Sequence, residues 1–182
     1  MRPETVSVAD VAALGPGPAT GDNWTGSIGL NVCGRFLEPL PSAAAVGGLS
    51  TDAAGRFTVA PTEEADTGDA ATIGRLAEQV GISLSTGSVT FPDSTLPAVI
   101  EDASVRVPVA GATFNTGDKC GEQPAEVQLW VYTKRAADTG EDVRQVVTDP
   151  QQVPIIEDGM AFVIAFSPSS SLPTLPPSAL AG

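Results

Sequence analysis

The first chemical fact of this chain is an absence: its 182 residues contain no histidine. A Ser-His-Asp triad is therefore excluded, however many serines are present. A Ser-Lys variant would have to use Lys119 or Lys134, the two lysines, and neither sits in a motif. The acidic turns Asp66-Thr67-Gly68-Asp69, Asn115-Thr116-Gly117-Asp118 and Asp138-Thr139-Gly140-Glu141-Asp142 offer oxygen ligands. Calcium needs six to eight of them converging, and none of these turns matches an EF-hand loop. The plainer reading is that Asp, Asn and Gly are what hairpin turns require. Calcium is thus a weak expectation, and no other cofactor is implied. A carboxylate pair of the glycosidase type remains open, but nothing marks one pair over another. No catalytic residue is assigned.

Cys33 and Cys120 have no CxxC or metal-ligand spacing. They are two buried thiols or one disulfide. A bridge would close a separation of 87 residues. Trp24, Trp130 and Tyr132 would suit an aromatic binding platform, or core packing and cover for a disulfide. Asn23-Trp24-Thr25 is formally a glycosylation sequon, meaningful only for a eukaryotic secretory origin.

The elements that must position these residues are mostly strands. With 16 Pro, 19 Gly and 17% charged residues, the composition reads as short strands joined by turns rather than a helical bundle. Residues 1–22 read as a flexible arm. Residues 27–36 read as one strand with Ile28, Leu30 and Val32 on its buried face and Cys33 opposite. A second strand spans 55–61, with Phe57 and Val59 inward and Thr58 outward. The one helix expected covers about 69–81, capped by Asp69. Its apolar stripe is Ile73, Leu76, Ala77 and Val80, and Gly81 and Ile82 close it in the Schellman manner. Strands follow at 88–91 and at Val105–Val109, the latter an edge. Residues 126–132 send Val127, Leu129 and Val131 inward, with Trp130 and Tyr132 on the other side. A further strand covers 143–148. Residues 160–166 are apolar on both faces, as a central strand requires. The fold class is α+β: a β-rich single domain over 23–166 with a mixed or antiparallel sheet and one packed helix. It leaves room for a β-grasp-like first half, with a second small β-unit after about residue 93 as the alternative. Residues 167–182 read as a Pro/Ser-rich extended tail.

Net charge is −13, and the nine Lys plus Arg are scattered, with no cluster beyond the Lys134-Arg135 pair. Nucleic acid and anionic membrane surfaces are therefore poor partners. No run of about 18 apolar residues spans a membrane. No signal peptide is visible at Met1-Arg2-Pro3-Glu4. A disulfide would then mean a trimmed, exported precursor.

Several stretches resemble a family of actinobacterial cell-envelope proteins, membrane-anchored or secreted. One family signature runs roughly D-H-W-H-x-x-x-G-x-x-x-C-x-x-F-x-P-P. It is met here by Asp22-Asn23-Trp24-Thr25, Gly29, Cys33, Phe36 and Pro39. A second, roughly G-I-H-T-H-G-D-G-L-I-H-I-H-P, falls on Gly48 to Pro61. Further matches are Ala71-Thr72-Ile73-Gly74 with Val80-Gly81, Gly117-Asp118-Lys119-Cys120-Gly121, and Ile164-Ala165-Phe166 to Ala179. Six family histidines fall on Asn23, Thr25, Ser50, Asp52, Thr58 and Ala60, and every one is replaced. Alternating histidines on a strand would share one face, as a metal site needs. Here only Asp52 keeps a ligand atom, so no metal site carries over.

The resemblance implies an extracytoplasmic domain of the cell envelope, with a scaffold kept after a metal face was lost. The function expected is non-enzymatic binding or assembly, with a protein partner or with further copies of itself. The alternatives are a carboxylate-based hydrolase and a structural subunit of an extracellular or viral assembly. A Cys33–Cys120 disulfide is expected, closing over the face away from Ile28, Leu30 and Val32.

Overall fold

The computed structural model describes residues 3–39, 42–93, 99–101 and 106–181. It starts with a short strand, β1 (Glu4–Thr5), and one turn of helix, α1 (Val8–Ala12). Ser7 and Asp10 form a capping box, each side chain accepting from the other's backbone N–H. Those bonds from Ser7 hold the Asp10 carboxyl below its usual range. The turn gives Val6, Val8 and Val11 a common side, and Val11 is fully buried in the main core. The segment expected to be a flexible arm is therefore packed into the domain.

β2 (Trp24–Val32) is the strand that the sequence places at 27–36, but it starts earlier and stops sooner. Cys33 (φ 55°) and Gly34 (φ 85°) both adopt left-handed backbone, the pattern of a type I′ hairpin turn. The chain returns as β3 (Arg35–Phe36), with Val32 opposite Arg35. β4 (Ala43–Val46), β5 (Leu49–Thr51) and β6 (Arg56–Val59) then form an antiparallel run onto β2.

Helix α2 (Ile73–Gln79) buries Ile73, Leu76 and Ala77, as the stripe requires. Its N-cap is Thr72, whose hydroxyl accepts from the Arg75 N–H, and not Asp69, which lies in a preceding 3-10 turn. Thr72 prevails because it is bridged to Pro154, which fixes its extended backbone where the helix begins. At the other end the Ile82 N–H reaches Ala77 O and the Gly81 N–H reaches Glu78 O, a Schellman closure.

The chain continues through β7 (Ser83–Ser85), β8 (Ser88–Thr90), β9 (Val99–Glu101), β10 (Arg106–Pro108) and β11 (Thr113–Asn115). These form a three-stranded sheet, β11-β8-β7, and the hairpin β9-β10. Val105, part of the expected edge strand, lies outside the described residues. β12 (Lys119–Cys120), β13 (Gln123–Tyr132), helix α3 (Lys134–Thr139), β14 (Arg144–Val146) and β15 (Ala161–Pro168) follow. The last element is a short helix, α4 (Pro177–Leu180).

The main sheet has ten strands in the order β1-β14-β13-β15-β2-β6-β5-β4, with β12 on β13 and β3 on β2. It is mixed: β1 runs parallel to β14 and β15 parallel to β2, and the other pairings are antiparallel. β15 lies between β13 and β2, the central place that its two apolar faces require. One face of the sheet meets α2 and the three-stranded sheet in the main core, around Leu30, Phe57, Leu129 and Phe166. The other carries a smaller core of Trp130, Tyr132, Ala161, Val163 and Ala165, closed by Phe36, Leu175 and Ala179. The tail is thus a lid on the second face rather than a free extension. Gly29 makes room for it, since a Cβ there would stand 2.7 Å from Pro176.

Tyr132 is the single tyrosine. Its hydroxyl is buried without a hydrogen-bond partner, and burial pushes its pKa well above the ordinary value near 10. The folded state therefore holds this proton more tightly than the unfolded state. Its contribution is intact below about pH 10 and is lost as pH rises beyond that. Tyrosinate absorbance is expected to appear only together with alkaline unfolding. Tyr132→Phe should be neutral or stabilising by about 1 kcal/mol, because it removes an orphan hydroxyl. A freely titrating tyrosine near pH 10 in the folded protein would contradict this.

Candidate functional site

One concavity lies where β2 loses its partner. β6 follows β2 only as far as the Ser27–Arg56 pair. Beyond it the Ile28 N–H reaches Gly55 O, and the Leu37 N–H reaches Leu30 O on the returning strand. Between these two contacts the edge of β2 opens into a cavity of about 230 Å³. Its walls are aliphatic: Ile28, Leu30 and Leu37 from β2 and its hairpin, Leu76, Val80 and Ile82 from α2 and its cap. Pro177 and Ser178 of α4 close one side, and the Ser178 hydroxyl donates to Gly55 O at 2.9 Å, which pins the helix.

The polar residues of the lining are few. Glu38, Thr51 and Asp52 stand with the aliphatic walls, and among the described residues no lysine or arginine does. Asp52 is fixed by its own turn, its Oδ1 accepting from the N–H groups of Ala54 (2.8 Å) and Arg56 (2.9 Å). That is an Asx turn, a local bond that short acidic side chains make readily. The volume is below the roughly 300–1,000 Å³ of pockets that hold drug-sized ligands. It matches a single large apolar side chain.

Sequence reading places Leu76, Val80 and Ile82 correctly as an apolar stripe and its closure. It does not foresee the cavity, because β2, its hairpin, the β5–β6 turn, α2 and α4 meet there only in the fold. The one local sign of α4 is Pro177 at its first position, where a missing N–H costs nothing.

Of the six positions where the envelope resemblance would put histidine, three meet directly across neighbouring strands. Thr25 lies opposite Thr58, and Thr58 opposite Ser50, a row across β2, β6 and β5. Asp52 continues the β5 side of the row, its N–H donating to Arg56 O. Asn23 and Ala60 lie just outside β2 and β6. Thr25, Thr58 and Ser50 therefore share the face of the sheet away from Phe57 and Val59. The six positions together carry hydroxyls, an amide, a methyl group and one carboxylate. Among the described residues no three or more His, Cys, Asp or Glu side chains are placed to hold a metal ion. The acidic turns stay apart: Asp118 accepts from the Asn115 N–H within its own turn, and Asp66 pairs with Arg75 at 2.9 Å.

Cys33 and Cys120 are bonded, with Cα atoms 5.4 Å apart. The bridge does not close over the face away from Leu30 and Val32, as strand alternation would have it. Cys120 is buried in the main core and Cys33 packs against it. β2 ends at Val32, so Cys33 sits in the left-handed turn and alternation no longer sets its direction. The three aromatics also part company. Trp24 packs on the main core, whereas Trp130 and Tyr132 lie on the other face.

Comparison with protein-family models, with curated proteins and with solved structures finds no match in any of the three. No helix among the described residues is long and apolar enough to cross a membrane.

Proposed function

We propose that this chain is a non-enzymatic binding domain of the cell exterior that seats an apolar side chain of a protein partner in the cavity beside β2. The observation that carries this reading is the cavity itself, aliphatic within and sized for one side chain. Anchors of this kind, desolvated in a preformed pocket, dominate the energy of many interfaces. The disulfide is consistent with an oxidising compartment, and the envelope resemblance points the same way. The hydrolase alternative needs two free carboxyl groups facing each other across a cleft. Glu38 and Asp52 border this one, but Asp52 is already committed to its turn.

The test is selection from a displayed library of extended peptides, each with one leucine at a fixed position. Binders are expected, and Val80→Phe, which fills the cavity from its half-buried edge, should weaken them more than tenfold while leaving the melting temperature within a few degrees. Failure to select any binder, or binders indifferent to Val80→Phe, would remove the proposal.

A further inference from the structure

On that reading of the cavity, we infer that the partner segment is basic: the apolar anchor is flanked by lysine or arginine. The two charged side chains that line the cavity, Glu38 and Asp52, are both acidic. Both are exposed, so they act through water and salt rather than as a buried pair. Exposed pairs of this kind are worth about 1.5- to 5-fold in binding each. Asp52 is the better placed of the two. Its carboxylate is held by the N–H groups of Ala54 and Arg56, so pairing it with a cation orders no further side chain of this protein. Glu38 follows directly on Leu37, a buried wall residue, and so stands close to any occupant of the cavity. Longer-range charge acts in the same direction, since the chain carries −13 overall. Such a field raises the association rate of a basic segment and repels a second copy of this chain. An acidic anchor segment would meet like charge on approach and at the mouth.

Three synthetic peptides, identical except for lysine, serine or glutamate on both sides of the leucine, test this by calorimetry. The lysine peptide is expected to bind about tenfold more tightly than the glutamate peptide at low salt, with serine between them. The spread should narrow in 0.5 M NaCl, where the screening length falls to a few ångströms. Asp52→Asn keeps the acceptor oxygen of the turn and removes only the charge. Together with Glu38→Gln it should bring the three affinities within about twofold of each other. Equal binding of all three peptides to the parent protein would overturn the inference and leave the cavity reading standing. Binding by none of the three would overturn both. A charge preference that survives the double substitution would place its origin elsewhere and would also overturn the inference.

Discussion

Replacing Cys33 and Cys120 with alanine is expected to lower the unfolding free energy by about 4 kcal/mol. The bridge ties the β2–β3 turn to β12 across a sequence separation of 87 residues. For a loop of that size the chain-entropy relation gives about 4.6 kcal/mol at 25 °C, an upper figure because unfolded chains retain structure. The bonded pair also packs in the main core, so its loss removes apolar contact as well. In a domain of this length the change corresponds to roughly 8–16 °C in melting temperature. Urea unfolding of the oxidised protein and of the double variant measures it directly. A difference under about 1 kcal/mol would show that the bridge is not what restrains the unfolded chain. A second variant separates bond from backbone. Position 33 has φ 55° and is followed by Gly34 at φ 85°, and asparagine before glycine is the preferred type I′ pair. Cys33→Asn with Cys120→Ala should therefore recover about 1 kcal/mol relative to the double alanine variant, without restoring the bridge.

The parts of this fold legible in the sequence are those where one physical constraint acts alone. Residues 126–132 alternate cleanly because β13 separates two cores, and each sees only one side. Residues 161–166 are apolar throughout because β15 is covered on both sides. The end of α2 is legible because Gly81 alone tolerates the backbone there, at φ 83°. The start of α2 offers two capping residues, and a tertiary bridge from Thr72 to Pro154 decides between them. The end of β2 is hidden for a related reason. Alternation runs on through Cys33 and Gly34 as letters, and only the positive φ values of both residues reveal a turn. α3 has six residues, too few for a periodic stripe, and its signs are confined to the Thr133 cap and Gly140 at its end. For Thr25, Thr58 and Ser50, spacing along each strand gives the face, but only the register between β2, β6 and β5 makes them one row. The cavity is illegible from any local stretch, because its walls come from segments far apart in the chain.

Trp130→Ala is the other substitution expected to cost about 4 kcal/mol, and its reasons are different from those of the bridge. Trp130 is 1% exposed and is the largest fully buried side chain of the second core. Truncating such a residue typically costs about 3–5 kcal/mol through lost burial and the void left behind. Part of the effect is polar. The indole Nε1–H donates to Gln128 Oε1 at 2.8 Å, and Gln128 Nε2 donates to Ser167 O (3.3 Å) and Oγ (3.2 Å). These groups lie on neighbouring strands beneath the tail, away from water. Trp130→Phe keeps an aromatic ring but leaves Gln128 Oε1 without its donor, a loss of about 1–3 kcal/mol beyond the volume change. Trp130→Phe combined with Gln128→Leu removes both members of that bond. The pair should therefore be less destabilising than the sum of its single substitutions, by about 1 kcal/mol or more. A double-mutant cycle in urea gives the coupling. Strict additivity would mean that Trp130 stabilises the second face by bulk alone, and that its bond to Gln128 adds nothing.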